Sequence, residues 1–195
     1  MIFETIVTTQ APDGAVHIAP FGITEDEAGL VIAPFRPSIS LDNLLATRCA
    51  VINLTDDVRI FAGCLTERRD WPTKPAQVVA GRVLDAALSH REVRVASIEE
   101  DPLRPRFRLD VVHEETHAPF RGFNRAQAAV IEAAILVSRL HMLPPEKIET
   151  EIAYLTIAID KTAGEREWEA WGWLMARIAD YKANPDMRPK AERAG

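Results

Sequence analysis

The sequence predicts a mainly β domain, close to a small barrel, with a helical addition behind it. Three observations carry this reading. Short β-branched runs broken by turn residues dominate residues 1–122, and the apolar period changes to helical spacing after Asn124. The third is composition: 195 residues, 47% hydrophobic and 27% charged, supply a core without disulfides or a structural metal.

The elements follow in order. Residues 3–9, "FETIVTT", alternate and are rich in β-branched side chains, which suits a strand. Pro12, Asp13 and Gly14 then form a turn, and "AVHIAPFG" returns as a second strand, so residues 3–22 read as a hairpin. "GLVIAPFR" and "CAVINLTDDV" read as further strands, and the "SLDNLLATR" between them as a short helix with Ser40 at its N-cap. "GRVLDAALSH" is ambiguous, residues 92–98 are strand-like, and "RPRFRLDVVHE" places Phe107, Leu109 and Val111 on one face.

After residue 122 the pattern is helical. Asn124 with Gln127 predicts an N-cap and capping box. Pro144 and Pro145 end one helix and start the next, whose Ile148, Ile152, Leu155 and Ile159 share a face until Gly164 caps it. A third helix carries Trp168, Trp171, Leu174 and Ile178 at three- and four-residue steps. The division expected is a barrel over residues 1–122, helices over 123–183 packed on the barrel, and a frayed tail over 184–195.

A net charge of −6 argues against nucleic-acid or anionic-membrane partners. Cys49 and Cys64 read as reduced thiols. With no basic region ahead of a long apolar run and no stretch long enough to span a bilayer, the expected location is the cytoplasm.

"HEETH", residues 113–117, matches the helical zinc-protease pattern. That pattern works because four helical residues rise only about 6 Å on one face. Here His113 ends an alternating strand, where residues four apart are separated by roughly 13 Å. Both rings cannot reach one ion across that distance, so no metal is expected and a zinc hydrolase is the weakest of the functional readings. "DKTAG", residues 160–164, lacks the glycines of a P-loop ahead of its lysine and reads as a helix end. Trp168, Trp171 and Trp173 read as packing rather than as a cofactor box.

Residues 6–56 carry the chemistry. "HIAPFG" brings a strand to a Pro-Phe-Gly corner where backbone amides are left to meet a ligand. "FRPSISLDNLL" sets Arg36, Ser38 and Ser40 immediately before a helix. A guanidinium fork, two hydroxyls and unpaired first-turn N–H groups suit a phosphate monoester. Asp42 in the same turn opposes it.

The order Val7-Thr8-Thr9, Asp13-Gly14, Ala19-Pro20-Phe21, Arg36, Ser40, Asn43-Leu44 and Val51-Ile52-Asn53-Leu54 resembles the flavin-reductase-like FMN-binding split barrels. The whole chain, with "RGFNRAQAAVIEA" and "AIDKTAGEREWEA", looks like a domain-of-unknown-function branch of that superfamily from methanogen- and methylotroph-type microbes. The resemblance implies a split β-barrel binding FMN non-covalently as a homodimer. It implies that His17, Ala19, Pro20, Phe21, Gly22 and Phe35 lie at the flavin, and that Arg36, Ser38 and Ser40 hold the phosphate. Asn43 or Asn53 would complete the polar contacts. His17 stands where that family often has asparagine, and Gly22 where it often has serine. Asn124 and Arg125 either reach the site from the helices or are a helix cap beside a solvated arginine.

The chemistry implied is redox, with NAD(P)H or a small molecule as the reaction partner and a pathway in methanopterin-type one-carbon metabolism. The rival reading is a flavin-binding module without turnover. No catalytic acid or base is visible in the sequence.

Overall fold

A computed structural model describes residues 1–184 of the chain; of the expected tail, residues 185–195 lie outside the described residues. Two compact units are present. Of the described residues, one unit comprises Met1–Thr55 and Asp70–Phe120, and the other comprises Asp56–Arg69 and residues 121–184.

In the first unit β1 (Ile2–Gln10) and β2 (Val16–Asp26) form the predicted hairpin. Gly14 adopts φ +93°, which glycine tolerates without a Cβ penalty, and Asp13 Oδ1 accepts the Ala15 N–H at 3.0 Å. Next come β3 (Gly29–Ile32), α1 (Ile39–Thr47) and β4 (Cys49–Leu54). A small hairpin arm, β5 (Thr73–Pro75) with β6 (Arg82–Leu84), precedes β7 (Ser89–Glu99) and β8 (Arg106–Thr116). The barrel closes in the order β1-β2-β3-β8-β7-β4, with every neighbouring pair antiparallel.

Alternation along the strands sorts side chains between the barrel's two faces. Val7, Ala19, Phe21, Ile23, Ile52, Val93, Phe107 and Leu109 fill the interior, joined by Leu41 and Leu44 from α1. The opposite face of β1, β4 and β7 carries Thr8, Asn53, His90 and Glu92, all fully buried. The arm covers them. Thr8 Oγ1 donates to the Arg82 carbonyl, and Asn53 Oδ1 accepts the Leu84 N–H at 2.9 Å. Glu92 accepts three backbone N–H groups, from Gln77 at 2.6 Å, Val78 at 2.7 Å and Val79 at 2.8 Å. Burial alone would raise the Glu92 carboxyl, but these donors, with His90, hold it below the usual carboxylate range.

The second unit contains a helix in a stretch to which the sequence pattern assigns no element, α2 (Arg59–Leu65), just after the run expected as a strand to Val58. Its Val58 and Ala62 join a core built by α3 (Arg125–Ser138), α4 (Pro145–Thr162) and α5 (Glu165–Ala183). Arg59 clamps Asp57 through Nε at 2.9 Å and Nη2 at 2.6 Å and reaches Glu169 of α5 at 3.1 Å. Along α3, Ala126, Ala129, Ala133 and Ala134 face this core, so its neighbours can approach closely. Cys49 and Cys64 are buried and form no disulfide, and burial pushes the Cys64 thiol up to about 12. Among the described residues no helix is long and apolar enough to cross a membrane.

Several local expectations change. The N-cap of α1 is Ser38, not Ser40, because Ser38 keeps extended backbone and its Oγ accepts the Leu41 N–H at 3.1 Å. Asn124 caps α3 as predicted, but the Gln127 amide turns to Glu167 instead of closing a capping box. Gly164 begins α5 rather than ending α4, and its N–H donates to Glu167 Oε2 at 2.9 Å. Trp168 is exposed in the first turns of α5, so the buried stripe starts at Trp171.

Removing the Glu92 carboxylate leaves three buried N–H donors without an acceptor. Glu92→Ala is expected to destabilise the fold by about 3 kcal/mol or more in urea denaturation. A loss below about 1 kcal/mol would mean the arm is not held through this group.

Candidate functional site

The expected ligand-binding residues fall mainly at the α1 end of the barrel. Helix α1 packs against β1 and β2, where Asn43 donates its Nδ2 to Thr9 Oγ1 at 3.0 Å. Thr9 pairs directly with His17 across the hairpin, and both are buried. Asn43 of α1 is thus tied to Thr9 and, through the hairpin pairing, stands near His17, while Ser38 and Ser40 occupy the start of the same helix.

Within that group the hydroxyls differ. Ser38 Oγ is committed to capping α1. Ser40 Oγ, also buried, has no hydrogen-bond partner among the described residues. A buried hydroxyl with no acceptor is costly, which sets this atom apart from the capping Ser38. The N–H groups of Ile39 and Ser40 lie in the first turn, where no helical carbonyl can reach them. Asp42 is exposed in the same turn.

Ahead of the helix, Arg36 is half-exposed and pairs with the exposed Glu100 at 3.3 Å. A solvated pair of this kind holds loosely, and its guanidinium can exchange one anion for another. The Arg36 N–H donates to the Leu103 carbonyl at 2.8 Å, tying two loops together. Arg104, which the sequence reading does not single out, donates to the Ala33 carbonyl at 2.9 Å and lies 4.3 Å above the Phe35 ring. A second guanidinium thus flanks the same turn. The basic, proline-bounded "LRPR" run before β8 is its only sequence signal.

Along β2 the expected run divides. Ala19 and Phe21 point into the barrel core, while Pro20 is half-buried and Gly22 exposed on the other side. The backbone offers more than the side chains. From Val16 to Ile23 one edge of β2 pairs with β1, whereas β3 pairs only with Thr24, Glu25 and Asp26. The Pro-Phe-Gly stretch accordingly has one edge without a strand partner among the described residues.

Asn53 and Asn124 each have hydrogen-bond partners within their own unit. Asn53 stands on the arm-covered face, its Nδ2 donating to the Ile6 carbonyl at 3.1 Å while its Oδ1 receives Leu84, so its amide is a bracket within the unit. Asn124 uses its amide on Ala126 at 2.7 Å and on the Thr162 carbonyl at 3.0 Å, and Arg125 is exposed at the start of α3; both belong to the helical unit.

The HEETH segment is extended, as expected, with β8 running to Thr116. What the sequence reading misses is His90 on the neighbouring strand. Its ring stacks on that of His117 at 5.0 Å and lies 5.7 Å from that of His113.

A family model described as "Protein of unknown function (DUF447) N-terminal domain" matches residues 3–118, and one described as "Protein of unknown function (DUF447)" matches residues 124–176. Among solved structures the chain is similar to an FMN-bound protein from Methanosarcina mazei, with 19% identity and a TM-score of 0.79 over 90% of this chain and 94% of that one. It is also similar to the 2-nitrobenzoate 2-nitroreductase of Pseudomonas fluorescens, with 16% identity and a TM-score of 0.51 over 58% and 64% of the two chains. An FMN-binding protein from Thermus thermophilus with bound p-hydroxybenzaldehyde has 12% identity and a TM-score of 0.52 over 62% and 74%. At these identities the likeness is one of fold. No curated protein matches the sequence.

The two serines make opposite predictions for the free protein. Ser38→Ala removes a helix cap and is expected to destabilise the fold by about 1 kcal/mol. Ser40→Ala removes an unsatisfied buried hydroxyl and is expected to leave stability unchanged or raise it by about 1 kcal/mol. Urea denaturation of both variants checks the pair, and a destabilised Ser40→Ala would show that this hydroxyl serves the fold.

Proposed function

This chain belongs to the DUF447 family of proteins of unknown function, and we propose that it is a flavoprotein holding FMN non-covalently at the α1 end of its barrel. The observation that carries the proposal is the partnerless hydroxyl of Ser40, buried in the first turn of α1 beside Ser38 and behind Arg36. A phosphate monoester supplies what this turn lacks: acceptor oxygens for the Ser40 hydroxyl and the first-turn N–H groups, and an anion for the helix N-terminus.

Arg36 would exchange Glu100 for the phosphate, where it can bind in two-pronged fashion. Ser38 keeps its oxygen on the Leu41 N–H and still has its hydroxyl proton to donate. Asn43, held by Thr9, fixes the inner side of the cradle beside His17. Ala19, Pro20, Phe21 and Gly22 would act through the unpaired edge of β2, meeting the polar rim of a flavin ring with backbone groups. Phe35, exposed beneath Arg104, is placed to cover an aromatic ligand. The FMN bound to the Methanosarcina mazei protein, whose chain this one matches over nearly its full length, supports the same choice of cofactor.

The reaction class that follows is oxidoreduction. Bound FMN supplies hydride acceptance and donation at its ring, and the protein's contribution is to orient it and select what stacks against it. The nitroreductase among the structural neighbours supports a redox role. One observation favours the rival reading of a flavin carrier without turnover: among the described residues His17 is the only histidine in the cradle, and it is buried.

Purified protein is expected to retain a flavin absorption spectrum through gel filtration. Arg36→Ala should weaken FMN binding about tenfold to a hundredfold, corresponding to the roughly 1.5–3 kcal/mol of a charge-assisted hydrogen bond, as read by quenching of flavin fluorescence. Affinity unchanged in Arg36→Ala would remove Arg36 from the cradle. Steady oxidation of NADH or NADPH by the FMN-loaded protein separates the enzyme from the carrier, for which no turnover is expected.

A further inference from the structure

The outer wall of the barrel carries a second cluster, on the side covered by the arm. His90 on β7 pairs across the sheet with Glu115 on β8, and Glu92 pairs with His113. Directly opposed residues share a face, so these four side chains stand together. They do so because of a register shift. Val93 pairs with Val111 and Glu92 with His113, which leaves Val112 as an extra residue on β8. Phe107 and Leu109 point into the barrel, and beyond Val112 the odd-numbered His113 and Glu115 turn to the outer wall beside His90.

We propose that His90, His113 and Glu115 bind a divalent first-row transition-metal ion. One ligand atom from each can be chosen so that all lie within 4.8 Å of one another. Ligand atoms bound to one tetrahedral ion at about 2 Å lie roughly 3.3 Å apart. Closure therefore needs movement of side-chain ends only. The strand spacing that keeps His113 and His117 from a shared ion does not apply, because the second imidazole comes from the adjacent strand.

The surroundings fit a metal ligand set. His113 Nε2 is buried without a hydrogen-bond partner and lies 4.0 Å from Glu115 Oε2, so an ion between them gives that nitrogen its partner. His90 has support on both sides, with Glu92 at 3.4 Å from Nε2 and His117 at 2.9 Å from Nδ1. Whichever nitrogen the ion takes, the other keeps a group that orients the ring, the arrangement usual behind a metal-bound imidazole. Gln77 Nε2 steadies Glu115 at 2.8 Å. Lys74, 3.4 Å from His117 Nδ1, is the nearby cation, and Glu92 and Glu115 together outweigh it. Two imidazoles with one carboxylate select zinc, cobalt, nickel or iron(II) over magnesium or calcium, which prefer all-oxygen sites.

The test is a titration of untagged full-length protein, chelator-stripped and dialysed, with Co²⁺ followed by its visible absorption, and then displacement by Zn²⁺ with elemental analysis. One equivalent per chain is expected, with and without saturating FMN, so the result does not depend on the flavin reading. His113→Ala and Glu115→Gln, both at partly exposed positions, should each weaken Co²⁺ binding at least tenfold while melting as cooperatively as the parent. His141→Ala, at an exposed histidine of the helical unit, should change nothing. Absence of saturable binding in the parent, or affinity retained in either ligand variant, would overturn the assignment.

Discussion

The barrel depends on how it disposes of the polar side chains on its outer wall. Thr8, Asn53 and Glu92 come from three different strands, and all three are fully buried. Each is joined to backbone groups of the arm between Gln77 and Leu84, a segment whose main chain makes no ladder with the barrel wall. The arm needs acceptors and donors for its peptide groups, and the wall needs partners for its buried polar atoms, so each makes the other tolerable. Glu92 is the centre of this exchange. Three N–H groups converge on one carboxylate, keeping it ionised in a place where burial alone would favour the acid.

The arm covers the outer wall of β1, β4 and β7, and two other parts of the barrel unit lie away from that wall. One is the start of α1, where Leu41 and Leu44 enter the barrel core and thereby fix the register of Ser38 and Ser40 at the helix start. Another is the edge of β2 that β3 does not cover. Both follow from a short β3, which pairs for only a few residues before the chain turns toward α1. The outer wall has its own polar population at the β7–β8 end, where the extra residue at Val112 turns His113 and Glu115 toward His90.

Much of the fold was legible because its signals are local. The Asp13-Gly14 turn, the alternation in β1 and β8, the Asn124 cap and the proline start of α4 each rest on residues within a few positions of one another. Where a reading failed, a distant partner had intervened. Gln127 left its capping box for Glu167 of α5, and Gly164 served the helix after it because Glu167 reached back to its N–H. The run expected as a strand to Val58 ends at Leu54, and Val58 and Ala62 instead enter the core of the helical unit. Ser38 displaced Ser40 as cap by a choice of backbone angles that two serines two residues apart leave open.

Local pattern in the chain was enough for a β barrel followed by helices and an acidic composition, and it pointed to Arg36, Ser38 and Ser40 as a turn that could suit a phosphate. These follow from periodicity, capping and charge, which short segments carry without help. It took the folded chain to show that Asn53 is a bracket within the barrel unit, that of the two serines Ser40 is the one whose hydroxyl has no partner among the described residues, and that the His90 ring lies near both histidines of HEETH. The reason is common to all three. A side chain's hydrogen-bonding capacity is taken up by whatever strand or arm lies across from it, and a single extra residue in one strand reverses which side chains face each other.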